Sequence, residues 1–247
     1  MRNTISIEWS DLHLAREIKC DGSKIMRERI QNLSPRGEFF LVISVCFGYF
    51  TLSSVRILIR GIHEYRLTVP RLLWGILIEI LLASVAAWIL HVRGSTIRRF
   101  GLRFSWPFLL SGIPLFLASL SLFWVTLWCA ASLFPTARSV TAIKMVPAAP
   151  FALFLVFALV NSLFEEIAVT GYVMSALSEQ GAALSITASA LIRFVYHLYQ
   201  GPVASLWVLP LGLLFGAVYW RWRNLWPLIV AHTILNIMSF AAAARTA

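Results

Sequence analysis

Seven runs of predominantly apolar residues, at approximately 38–60, 70–92, 106–133, 148–178, 182–200, 203–220 and 224–244, occupy most of this chain. An α-helix needs roughly 20 apolar residues to cross a hydrocarbon core of about 30 Å, and each run approaches or exceeds that length. The chain is 59% hydrophobic and 13% charged, with a mean hydropathy of +0.78, outside the range of a soluble globular domain. The predicted fold class is therefore all-α, a polytopic membrane helix bundle of about seven transmembrane helices. Pro70, Pro107, Pro150, Pro202 and Pro227 mark first turns and loops between the spans.

Residues 1–37 differ in kind: they are polar, mixed in charge and lack the apolar stretch of a cleavable signal peptide. The expectation is a cytoplasmic extension with one interfacial helix near 10–30, followed by a single membrane domain over 38–247. Neither an internal repeat nor a second domain is apparent. Cys20, Cys46 and Cys129 have no metal-ligand or disulfide-framework spacing. The formal net charge of +10 reflects basic residues at helix ends and argues against nucleic acid as a partner. With the amino terminus inside, thirteen Lys/Arg fall on the inner side and seven on the outer, which favours an N-in, C-out protein of a cell membrane, of the prokaryotic inner type.

Against this background Glu165 and Glu166 stand out, within "FALVNSLFEEIAVTGYVMSAL". A charged side chain at the centre of a spanning helix costs about 2.5–3.5 kcal/mol on insertion scales, so two adjacent carboxylates need partners or water. The other ionisable residues expected inside spans are Glu79, Arg193, His197 and His232. Counting from the turn near 179–181 brings Glu166 and His197 to similar depth on antiparallel helices, facing each other. Ser189, Arg193, His197 and Gln200 share one helical face, as do His232, Asn236 and Ser239, while Asn161 and Ser162 precede the two glutamates by one turn. Three polar stripes thus face a common interior, with His232 placed about 10 Å shallower by simple counting.

These residues resemble a known family. "EEIAVTGY" at 165–172, "RFVYHLYQG" at 193–201 and "HTILN" at 232–236 look like the three motifs of the CPBP family, the CAAX protease and bacteriocin-processing (Abi-type) intramembrane glutamic endopeptidases. The resemblance covers roughly residues 148–240. It implies a helical membrane protease in which Glu165 activates a water with the help of His197, His232 and Asn236 steady the oxyanion, and Glu166 supports. Two positions depart from the pattern. Thr170 stands where the first motif usually has an arginine, and Arg193 stands where the second usually has an aromatic residue. Arg193 is expected to replace the motif arginine from the neighbouring helix by pairing with Glu166, with Glu79 as the lesser partner.

The residues support hydrolysis independently. Cleaving a peptide within lipid requires a base for water, donors for the developing oxyanion and a cavity that admits water. Glutamate, two histidines and an asparagine supply both classes. Adjacent glutamates project about 100° apart on a helix, so one acts as base while the other is structural or tunes it. The only aspartates, Asp11 and Asp21, lie in the polar extension, which excludes an aspartyl dyad; His-Glu-x-x-His and Gly-x-Ser-Gly motifs are absent. Glu165, His197 and His232 are a sufficient donor set for catalytic zinc, yet Asn236 one turn from His232 suits oxyanion stabilisation better. The expectation is a site without cofactor or metal, acting on a membrane-embedded or membrane-associated peptide.

Other features have ordinary structural readings. Glu79 in "WGILIEILLAS" is expected to form an interhelical hydrogen bond or ion pair, Arg56 to snorkel, and Gly212-x-x-x-Gly216 to permit close helix packing. Two alternative functions remain at this stage: a proton-coupled transporter, or an inactive membrane scaffold or immunity factor of the same fold. Transport predicts paired half-repeats, which are not found.

Overall fold

Helices occupy the apolar runs between the prolines and glycines that punctuate them. The computed structural model describes residues 22, 24–60, 64–133, 144–201 and 204–245. Its helices are α1 (Pro35–Arg60), α2 (Val69–Val92), α3 (Trp106–Leu133, with a kink at Ser111), α4 (Phe151–Ala176), α5 (Ala182–His197), α6 (Val208–Trp222) and α7 (Trp226–Arg245). Five of them, α1 to α5 with the turn that extends α5 to Gln200, are long and apolar enough to cross a membrane. In α7 the apolar stretch is shorter, Trp226–Ala242, and α6 has only 15 residues because Ala204–Trp207 form a 3₁₀ turn ahead of it. At 1.5 Å per residue α6 reaches about 22 Å, short of a full core. Exposed side chains such as Leu52, Ile59, Trp128 and Leu133 give the bundle an apolar exterior suited to lipid. The protein is an all-α, multi-pass membrane protein.

One element departs from the sequence reading. Glu64–Thr68 (β1) pairs in parallel with Lys144–Ala148 (β2), Arg66 opposite Val146. A two-stranded ribbon is marginal by itself; this one is braced by α7 against β2. It also delays the fourth span, which begins at Phe151 behind Pro150 rather than at 148. Of the predicted interfacial helix near 10–30, residues 22 and 24–30 are helical; the rest lies outside the described residues.

Two contacts position the interior. α5 and α6 approach closely at two glycines: a Cβ at Gly212 would lie 2.8 Å from the Ala190 Cα, and one at Gly216 2.9 Å from Ile186 Cγ2. The G-x-x-x-G segment is thus a packing device, as expected. The start of α7 is sunk into the protein. Leu225 N donates to the Gly101 carbonyl (3.0 Å), Asn224 Nδ2 donates to Arg103 O (2.8 Å), and Asn224 Oδ1 accepts from Trp226 N (2.9 Å), capping the helix. Gly101 has φ +81, and a side chain there would collide with the Arg223 carbonyl. Asn224 and Leu225 are buried, so α7 starts inside the packed protein.

Candidate active site

The two glutamates sit where α4 changes pitch. α-Helical geometry runs to Glu165, and Glu166–Tyr172 form a wider π turn, a deviation that occurs frequently at functional sites. Gly171 in this turn packs against Phe100 and Leu225; a Cβ would come within 2.9 Å and 3.1 Å of them. Nothing in the residue pattern announces this turn, which arises from packing.

Glu166 is fully enclosed by partners from three helices. Its Oε2 accepts from Thr170 Oγ1 (2.8 Å) and Arg193 Nη2 (2.9 Å), and its Oε1 lies 2.7 Å from His232 Nδ1. The expected cross-helix pairing of Arg193 with Glu166 is present, and Arg193 Nη2 also reaches Thr170 Oγ1 at 3.2 Å. Arg193 is not dedicated to Glu166, however: its Nη1 donates to Glu165 Oε2 at 3.3 Å, so one guanidinium joins both carboxylates. Its face stacks over Phe215, 5.6 Å from the ring centre. The anticipated 10 Å offset of His232 is therefore wrong. The 2.7 Å contact places His232 at the level of Glu166.

Glu165 has a different environment. Tyr196 OH donates to its Oε2 (2.5 Å) and Asn161 Nδ2 to its Oε1 (3.1 Å). Tyr196 itself stacks on Phe47 of α1. The expected face-to-face contact between Glu166 and His197 is not made. His197 Nδ1 bonds the Arg193 carbonyl at 2.8 Å, one turn back on its own helix; as a donor there it leaves Nε2 as the acceptor. Asn236 Nδ2 donates to Asn161 Oδ1 (3.0 Å) and Ser162 Oγ (3.4 Å), so its amide is engaged within a side-chain network.

A cavity of about 440 Å³ opens inside the bundle. Glu165, Arg193, His197, His232 and Asn236 line it, together with Glu79, Asn161 and Tyr196; Glu166 and Thr170 do not. The rest of the lining is largely apolar and aromatic, including Phe50, Trp74, Phe123 and Phe157. The two glutamates are thereby distinguished. Glu165 meets the cavity, while Glu166 is buried behind it and orients Arg193 and His232. Such a site can hold a water against a carboxylate and an imidazole and can confine an apolar chain beside them.

The motif spacing does not single out Tyr196, although its position three residues after Arg193 places it on the same helical face. The interhelical hydrogen bond expected of Glu79 is present: it accepts from Asn161 Nδ2 across the α2–α4 interface (2.8 Å). Among the described residues, no group of three His, Cys, Asp or Glu side chains is arranged to hold a metal ion.

Residues 147–238 match the family model described as type II CAAX prenyl endopeptidase Rce1-like. No curated protein and no solved structure matches the chain. The matched segment runs from β2 into α7 and contains every residue of the three motifs that surround the cavity. Over that segment the chain is similar to the Rce1-like CAAX endopeptidases, consistent with the CAAX protease family that the three motifs resemble.

Proposed function

We propose that this protein is an intramembrane endopeptidase that hydrolyses a peptide bond of a membrane-associated protein or peptide, using Glu165 to activate the water. The observation that carries the reading is the convergence of Glu165, His197 and His232, from three helices, on one cavity inside the bundle. The match of residues 147–238 to a CAAX-type protease family model supports the same reaction class.

A water placed between Glu165 and His197 Nε2 meets two acceptors. Glu165 takes its proton as the oxygen attacks the peptide carbonyl. Arg193 and Tyr196 hold the Glu165 carboxylate in position. His232, held at Nδ1 by Glu166, lines the cavity, where its ring steadies the oxyanion. Asn236 adds a second donor once its amide turns from Asn161. Glu166, with Thr170 and Arg193, is the support that keeps His232 and the guanidinium aligned.

The reaction in this reading needs no cofactor or metal. Its partners are the lipid bilayer and a peptide that enters from it. The excess of basic residues on one side orients the amino terminus to the cytoplasm of a cell membrane, thirteen against seven. The test is purified protein in detergent offered transmembrane and C-terminal peptides. Cleavage that survives a chelator and disappears in Glu165→Gln is expected. Cleavage abolished by chelator, or retained by Glu165→Gln, overturns the mechanism.

A further inference from the structure

Glu79 belongs to α2, outside the matched segment 147–238, yet it lines the same cavity as Glu165 and is only 2% exposed. Its Oε1 accepts from Asn161 Nδ2 (2.8 Å), and its Oε2 has no hydrogen-bond partner among the described residues. A buried carboxylate oxygen left without a partner is costly, so its retention calls for an explanation. The same Asn161 nitrogen lies 3.1 Å from Glu165 Oε1. Asn161 Oδ1 is taken by Asn236 Nδ2, which fixes the amide with its nitrogen toward the two acids. One amide thus couples two carboxyl groups across a helix interface.

The two acids differ in what compensates their charge. Glu165 has the Arg193 guanidinium and the Tyr196 hydroxyl. Glu79 has one neutral amide, and its other oxygen is buried without a hydrogen-bond partner among the described residues. An unpaired charge in such surroundings is strongly disfavoured, whereas a carboxyl group carrying a proton is tolerated and has a proton to give. Paired acids in contrasting environments are the arrangement that separates a base from an acid.

We propose that Glu79 is a further catalytic residue, the carboxyl that protonates the departing amine. This rests on the reading of the cavity as a hydrolytic site. Glu165 accepts the proton that water loses as its oxygen bonds to the carbonyl carbon. When the C–N bond breaks, its electron pair goes to nitrogen, and nitrogen takes the proton from the Glu79 carboxyl group. The acid and amine leave with Glu165 protonated and Glu79 ionised, and one proton passing from Glu165 to Glu79 through cavity water restores the start.

A packing role and an acid role diverge in Glu79→Gln, which keeps an oxygen for Asn161 but has no proton to release. The substrates are a peptide that the wild-type protein cleaves and its analogue with the scissile amide replaced by an ester, whose leaving oxygen has less need of protonation. Glu79→Gln is expected to lower kcat on the amide by about 100-fold or more with KM unchanged, and on the ester by less than about 10-fold. Glu79→Asp recovers at least part of the amide rate. Amide cleavage by Glu79→Gln within about 3-fold of wild type, or equal losses on both substrates, overturns the proposal while leaving the hydrolytic reading intact. Failure of the wild-type protein to cleave any peptide overturns both. If Glu79→Gln is not recovered as monodisperse protein, Glu79→Asp decides: a greater loss on amide than on ester supports the acid role, and equal losses refute it.

Discussion

Arg193 Nη2 lies 2.9 Å from Glu166, and the same atom lies 3.2 Å from the Thr170 hydroxyl. A cation on α5 thus occupies the space beside Thr170, the position at which the family motif usually carries its arginine. The charge pairing of the second glutamate is preserved although the cation comes from the neighbouring helix.

Exchange of these positions tests that relationship. Arg193→Phe removes one partner of a buried ion cluster and is expected to destabilise the protein by about 3–5 kcal/mol. Adding Thr170→Arg restores a cation beside Glu166 and recovers much of the loss. Unfolding in detergent measures both; absence of any recovery refutes the exchange.

Thr170 has a smaller role in the same cluster. Its hydroxyl donates to Glu166 and meets Arg193 Nη2, so Thr170→Val, which keeps the shape, is expected to cost about 1–3 kcal/mol. Unchanged stability would mean that Arg193 alone satisfies the carboxylate.

The two glycines of α6 are not equivalent. An added Cβ at Gly212 meets backbone, the Ala190 Cα, whereas at Gly216 it meets the Ile186 side chain, which can turn aside. Gly212→Ala is therefore expected to destabilise more than Gly216→Ala, by about 1–3 kcal/mol. It also displaces α5, so peptide cleavage falls with it. Equal thermal shifts for the two variants contradict this order.

Glu165→Gln and His197→Ala are each expected to reduce hydrolysis by at least about 100-fold while the protein stays inserted and monodisperse. Both residues line the cavity, and neither variant removes the Arg193–Glu166 pair. Size-exclusion profiles with peptide turnover provide the check, and turnover in either variant near the wild-type rate removes that residue from the mechanism.

Sidedness follows from the basic residues at helix ends. The amino terminus is expected in the cytoplasm and residue 247 on the opposite face, which cysteine labelling at each end determines. Termini on one side would mean that an even number of helices crosses, with the 15-residue α6 the first candidate for a helix that does not.

The sequence by itself determined what depends on local composition and short spacing. Apolar runs dictate membrane helices, because only a helix satisfies its own backbone over that length in lipid. Three- and four-residue spacing placed Arg193 and His197 on one face, and placed Asn161 one turn from Glu165, where they hydrogen-bond. The match over residues 147–238 agrees with the three motifs read from the residues alone. What only the tertiary structure decided was relative depth and which oxygen meets which donor. His232 reaches Glu166 although counting along the helices sets them about 10 Å apart; the π turn and the β1–β2 ribbon likewise depend on contacts distant in sequence. Glu79 reads as a packing residue in its own helix. It becomes a neighbour of the site only when Asn161 brings α2 and α4 together, since a hydrogen bond between helices depends on their packing and leaves no periodic trace in either one.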